Sequence, residues 1–244
     1  HLFPEILDKA FALAESGRPG PVLVDVPMDI FSAQIDVALM DRVMTGTHEL
    51  VRPSLDEATA ETIVGNLLAA ERPLLYIGGG VVLADATDEL AELVDHLQIP
   101  VAHTLMGKGA VADDNPCVLG MTGFWGTEFI NDMTRNADWI LALGTRFSEA
   151  DSSSWEEAYT FRMPPTRLMH IDIDPAELGR NYPLALGAVA DLKPPLAALV
   201  RAAKKLAPAG VQRTEVLAHI QRNRAAFRAT CQEGATSDAW PMRP

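Results

Sequence analysis

The chain has 244 residues, 48% hydrophobic and 22% charged, enough to bury one large or two ordinary cores. A net charge of -13 with no Lys/Arg cluster excludes nucleic acid as a partner, because phosphate binding needs clustered cations. No apolar run is long enough to span a bilayer and no signal peptide opens the sequence, so no membrane partner and a cytoplasmic location are expected.

From the start, "PEILDKAFALAES" repeats Ile6, Leu7, Ala10, Phe11 and Ala14 at three- and four-residue spacing, which predicts a helix with one face on a core, stopped at Gly17. "PVLVDV", residues 21–26, reads as a strand buried on both faces and ended by Pro27. Residues 31–53 lack a sustained period and read as a linker. Ser54 with Glu57 forms a capping box for a helix whose apolar stripe is Ile63, Val64, Leu67 and Leu68, and a new domain, 54–206, begins there. Strand and helix then alternate: "PLLYIGGG", "ATDELAELVDHL", "IPVAHT", a loop "LMGKGAVADDNPCVLGMTG", "TEFINDMTRN", "DWILALG", "RLMHIDID", a short helix from Pro175, "GAVAD" and "LKPPLAALVRAAKKL". Such alternation predicts crossovers and a doubly wound parallel sheet, an α/β fold. Residues 207–244 read as a helical tail that breaks off at prolines, and both ends look cut from a larger protein.

Ligands of open α/β sheets bind beyond the carboxyl ends of the strands. The segments at those ends are Gly78-Gly79-Gly80, Thr104-Leu105-Met106-Gly107, Gly120-Met121-Thr122-Gly123, Gly144-Thr145-Arg146 and Asp172-Ile173-Asp174. Glycines expose backbone amides to phosphate, an acid at a strand end accepts from ribose, and an arginine can meet a phosphate bidentately. Taken singly, each has a plain alternative. The triplet suits a tight turn and lacks the G-x-G-x-x-G spacing, since Leu83 stands at the last glycine's place. Asp172 and Asp174 suit a helix cap, Arg146 suits a solvated surface, and Asp113-Asp114 and Glu156-Glu157 read as solvated pairs. Cys117 and Cys231 match no disulfide or metal spacing, and the six His are scattered, so no metal site is expected.

In order along the chain, "GRPGPVLVDVPMDI", "RPLLYIGGGV", "PVAHTLMGKGA", "LGMTG", "ILALGTRF" and "HIDIDPAELGR" resemble the end of the pyrimidine-binding domain and the whole central domain of thiamine-diphosphate enzymes, in their acetolactate synthase-like branch. The resemblance implies that residues 1–30 close a domain whose other strands precede His1. It implies that the parent acts on a 2-keto acid with thiamine diphosphate and magnesium, as a homodimer or homotetramer. The activating glutamate and the Gly-Asp-Gly metal motif of the family belong to flanking domains, so no catalytic residue is assigned here and the chain alone is expected to be inactive. By resemblance the central domain takes FAD in the synthases, an adenine nucleotide in oxalyl-CoA decarboxylase relatives, and nothing in scaffold-type decarboxylases. The matching flavin positions are Gly79, Gly80, Thr104, Leu105, Met106 and Gly120, then Thr122, Gly144, Arg146, Asp172, Ile173 and Asp191. Thr122 stands where the resemblance places a histidine, and Ser148-Glu149 where it places Asp-Asp. A non-catalytic nucleotide-binding or assembly module is the reading from another class.

Overall fold

A computed structural model describes residues 3–34, 36–39 and 51–235, which divide into two units, 1–52 and 53–244. In the first unit, helix α1 (Phe3–Glu15) ends before Gly17, which takes a left-handed φ of 59°. Its expected core face is not covered: Ile6 is 45% and Phe11 65% exposed. Residues 21–26 pair with no strand among the described residues, and Leu23 is 92% exposed. The expected buried strand is therefore absent, because a strand is made by its ladder and none is offered here. A short helix α2 (Met28–Phe31) and a 3-10 turn at Val37–Leu39 come next. Most of the expected linker, 40–50, lies outside the described residues, as does 236–244 at the end of the tail.

The second unit opens with α3 (Glu57–Ala69). Its cap is Asp56, whose carboxylate accepts from Thr59 N at 2.6 Å, and not Ser54 as the capping-box pattern suggested. Asp56 sits three residues before a free helical N–H, the same geometry offered by a neighbouring acid. Strand β1 (Pro73–Ile77) is buried throughout, as an apolar run in a covered parallel sheet should be. After it come the single turn α4 (Gly80–Leu83), α5 (Thr87–Leu97) and β2 (Val101–His103). The expected long loop then contains a strand, β3 (Val118–Met121). Its pairing with β2 slips between Val101 and Ala102, and Gly120 there has φ 129°, so a bulge glycine had the look of a loop glycine.

Next come α6 (Glu128–Arg135), β4 (Trp139–Leu143), β5 (Arg167–Asp172), β6 (Leu186–Val189), α7 (Lys193–Leu206) and α8 (Thr214–Ala235). The short helix expected from Pro175 is instead a run of turns. Asp172 Oδ1 accepts from Asp174 N and Asp174 Oδ1 from Ala176 N, each at 2.9 Å, and these side-chain turns compete with helix formation.

All six strands are parallel, in the order β3-β2-β1-β4-β5-β6. Alternate strand residues divide the core. Leu75, Ile77, Leu141, Leu143 and Met169 meet the apolar faces of α3, α5 and α7 on one side. Leu74, Tyr76, Ile140 and Leu168 meet Ile130 of α6, Ile220 of α8, and the aromatic group Phe147, Phe161 and Tyr182 on the other. Each fully buried Leu or Ile contributes about 1.5–3 kcal/mol, which fixes the sheet as a frame for the loops at its carboxyl edge.

Candidate functional site

The chain builds outward from β1 to β3, then returns beside β1 as β4 and builds outward again to β6. The loops after β1 and β4 therefore diverge, and the crevice between them is where open α/β sheets take ligands. Because the strands are parallel, every candidate loop arrives at this one edge, in the order β3, β2, β1, β4, β5, β6.

At the centre, the glycines pack backbone on backbone. A Cβ on Gly78 would stand 2.1 Å from Gly144 O, and one on Gly80 2.7 Å from Gly144 Cα. Gly80 N donates to Gly144 O at 3.1 Å and Gly144 N to Ile171 O at 2.9 Å. These amides are committed to holding the loops together. Gly79 faces the β2 loop, with the Cβ of Met106 3.0 Å from where its own would be.

In the β2 loop, the buried Thr104 Oγ1 accepts from Gly107 N at 3.0 Å and caps a 3-10 turn, Leu105–Gly107. The turn presents Leu105 and Met106 outward, 58% and 71% exposed. In the β3 loop, Thr122 is fully buried; its Oγ1 donates to Asp151 O at 2.9 Å and lies 3.2 Å from the Tyr76 hydroxyl. Thr122 is thus a packing residue beneath the edge, while Phe124 and Trp125, which sequence reasoning passed over, are the exposed side chains of that loop. The signal for them was the second glycine pair, Gly123 and Gly126, flanking two aromatics. Gly120 carries no polar side chain to this edge and serves the bulge, where its Cβ would meet Ile130 Cδ1 at 2.9 Å.

After β4, Arg146 is exposed, and among the described residues its guanidinium makes no hydrogen bond or ion pair; its carbonyl accepts from Asn181 Nδ2 at 3.2 Å. Just after Ser148-Glu149, the Asp151 carboxylate accepts from Ser148 Oγ and from Leu105 N, tying this loop to the β2 loop. Phe147, Ser153, Ser154 and Trp155 all take left-handed φ between 49° and 60°, a conformation costing a side chain about 1 kcal/mol. Trp155 Nε1 donating to Phe147 O at 2.8 Å and the Ser153–Thr160 hydroxyl pair at 2.7 Å brace this turn from within, and Thr122 Oγ1 donating to Asp151 O ties it to β3's loop.

Farther out, Asp172 is buried at the end of β5, its Oδ2 3.9 Å from His170 Nε2. Burial pulls His170 down to about 4 and keeps it neutral. Ile173 is half-buried, and Asp191, beyond β6, donates its N–H to Pro53 O at 3.0 Å. The edge thus brings Gly79, Gly80, Leu105, Met106, Gly144 and Arg146 together at the crevice, with Asp172, Ile173 and Asp191 toward the β6 side. Among the described residues, no group of three or more His, Cys, Asp or Glu could hold a metal ion, and no helix is long and apolar enough to cross a membrane.

The family model described as "Thiamine pyrophosphate enzyme, central domain" matches residues 60–199. The acetolactate synthase large subunit of Parasynechococcus marenigrum is 38% identical over 197 residues, 80% of this chain and 31% of that protein. A probable acetolactate synthase large subunit of Methanocaldococcus jannaschii is 36% identical over 196 residues, covering 78% and 32% respectively. The glyoxylate carboligase of Escherichia coli O157:H7 is 37% identical over 210 residues, covering 86% and 34%. The chain spans about a third of the length of the curated relatives it matches. With its doubly wound sheet and the ordered loops at one edge, the chain belongs to the thiamine pyrophosphate enzyme family, as its central domain.

Proposed function

We propose that this chain is the central domain of a thiamine-diphosphate-dependent carboligase acting on 2-keto acids, and that its carboxyl edge holds FAD. The observation that carries the reading is the set of exposed side chains on the loops that flank the β1/β4 crevice: Arg146 on the loop after β4, and Leu105 and Met106 on the loop after β2. A flavin dinucleotide needs a cation for its diphosphate, apolar surface for its ring and acids for its ribose, and these residues with Asp172 and Asp191 fit those needs. Thr122 does not belong to the set, because its hydroxyl is spent on Asp151 O; Phe124 and Trp125 offer the exposed surface of that loop.

Thiamine diphosphate, when bound with magnesium in the parent, supplies a carbanion for addition to a 2-keto acid and an electron sink for loss of its carboxylate. No residue of this chain is given a step in that chemistry. Its part is to position the flavin and to join the pyrimidine- and diphosphate-binding domains in a cytoplasmic homodimer or homotetramer. A flavin-free scaffold is the second reading, favoured by the commitment of the Gly80 and Gly144 amides to backbone bonds.

Titration of the chain with FAD, followed by flavin fluorescence with ADP as competitor, separates the two. Saturable binding that Arg146→Gln weakens tenfold or more is expected, since a hydrogen bond to a charged group contributes about 1.5–3 kcal/mol. If neither FAD nor ADP binds, the flavin reading fails. If the full-length parent, given thiamine diphosphate and magnesium, releases no carbon dioxide from any 2-keto acid, the carboligase reading fails.

A further inference from the structure

At the amino ends of β1 and β2, on the edge opposite the glycine loops, lies a cavity of about 440 Å³, within the size range of small-molecule sites. Pro73, Leu74 and Pro100 form its floor. Phe129 and Met133, on one face of α6, and Val216 and His219, on one face of α8, form its walls. The Phe129 and His219 rings meet edge to face at 5.1 Å.

Arg213 lines the same cavity just before α8. Its Nε donates to Leu97 O at 3.4 Å and an Nη to Leu67 O at 3.5 Å, long contacts that use two of its five donors. Among the described residues it makes no ion pair within 4 Å, and burial lowers its pKa. The acid whose field reaches it, Asp138, is already occupied, accepting from Glu71 N, Arg72 N and Trp139 N at 2.8, 2.9 and 2.9 Å. A half-buried guanidinium that makes no ion pair among the described residues thus lines a cavity with an apolar floor and walls, where a carboxylate would meet it partly shielded from water. Glu71 and Glu215 at the rim are exposed, so solvent screens them, and Asp132 is paired with Arg135. Arg72, the other arginine of the lining, is paired with Glu71 at 3.4 Å, which leaves Arg213 as the arginine for a ligand and makes one carboxylate the favoured number.

We propose that this cavity binds a small monocarboxylate with an aromatic or branched apolar body, and that its occupancy fastens α8 to α6. α8 is already held by the fully buried Ile220, by Val216 and Leu217 packed against the core, by the Phe129–His219 contact, and by Arg224 donating to Asn115 O at 3.0 Å and to Asp113 O in the loop before β3. A ligand between Val216 and Met133 adds a further tie near the helix start. The site is separate from the flavin edge and does not rest on that reading.

Calorimetric titration of the chain with naphthylacetate, naphthylacetamide and naphthylethylamine tests it. Saturable binding of the acid is expected, with the amide at least tenfold weaker and the amine not bound. Val216→Trp fills the chamber without altering Arg213 and should abolish acid binding, while amide hydrogen exchange in the first turns of α8 should slow when acid is bound to the unaltered chain. Replacing Arg213 would also remove its contacts to Leu67 and Leu97, so the acid-to-amide ratio on the unaltered chain tests the charge. The proposal is overturned if acid and amide bind alike, if the amine binds as well as the acid, if Val216→Trp leaves acid binding intact, or if nothing saturates below about 10 mM, a free energy near 3 kcal/mol.

Discussion

Gly78 is where the glycine triplet can be tested as structure. An alanine there would place a methyl 2.1 Å from Gly144 O and 2.7 Å from Thr145 Cα, both backbone atoms that cannot rotate aside. The loops after β1 and β4 would have to part by about 1 Å, a typical overpacking strain of about 1–3 kcal/mol. The parting also stretches Gly78 N to Leu143 O, now 2.9 Å, and Gly80 N to Gly144 O, now 3.1 Å, each contributing about 1 kcal/mol net. Gly78→Ala should therefore destabilise by about 3–5 kcal/mol, lowering Tm by about 10 °C in a unit of this size. Gly79→Ala would place a methyl 3.0 Å from Met106 Cβ and 3.3 Å from Met106 O, so the surface turn that carries Met106 must give by a few tenths of an ångström, at a cost of about 1 kcal/mol. Gly109→Ala meets nothing within 4 Å but holds φ at 86°, so backbone strain alone, about 1–2 kcal/mol, should appear. Urea unfolding of the three variants, followed by circular dichroism, reads the order Gly78, Gly109, Gly79. If Gly78→Ala costs no more than Gly79→Ala, the close backbone contact at the crevice is wrong.

Two further predictions concern buried titratable groups. His170 is held near 4 by burial while an unfolded histidine titrates near 6.5, so the unfolded chain takes up a proton as pH falls from about 6.5 to about 4 and stability drops by up to roughly 3 kcal/mol across that window. Urea midpoints at pH 7.5, 6 and 5 should show His170→Gln losing less stability than the parent chain as pH falls; a constant difference between the two would refute the assignment. Cys117 is buried, its thiol pushed up to about 11, whereas Cys231 is exposed. One thiol should therefore react rapidly with a disulfide reagent at pH 8 and the second only after denaturation, and two fast equivalents would contradict the burial.

Period and breaker signals made the layered sheet legible because each strand of β1, β4 and β5 is a continuous buried run between amphipathic helices, and burial on both faces leaves that imprint directly. β3 was not legible for the opposite reason. It is four residues long, carries a glycine with positive φ, and is buried only in its first half. The strand expected at 21–26 shows that composition records suitability for a sheet and not the presence of a neighbour. At the site, positions were readable but roles were not. Whether a glycine leaves room for a ligand or for another loop depends on what approaches it, as Gly80 and Gly144 show by meeting each other. Thr122, Phe124 and Trp125 lie within four residues, yet burial alone decides which of them faces outward.

That commitment of glycines changes where affinity for a diphosphate could arise. In the usual dinucleotide fold, a glycine turn opens a long helix whose free amides and dipole receive the pyrophosphate. Here the helix after β1 is the four-residue α4, too short for a strong dipole, and the Gly80 amide already donates to Gly144 O. Leu83 in the place of a third glycine is then no defect, since the turn it would serve does not carry the phosphate. A diphosphate at this edge would have to draw on side chains, and Arg146, exposed on the adjoining loop, is the cation we propose for it. If FAD binds and Arg146→Gln leaves its affinity unchanged, the phosphate contact lies with backbone amides after all, and the glycine loops must open when the cofactor enters.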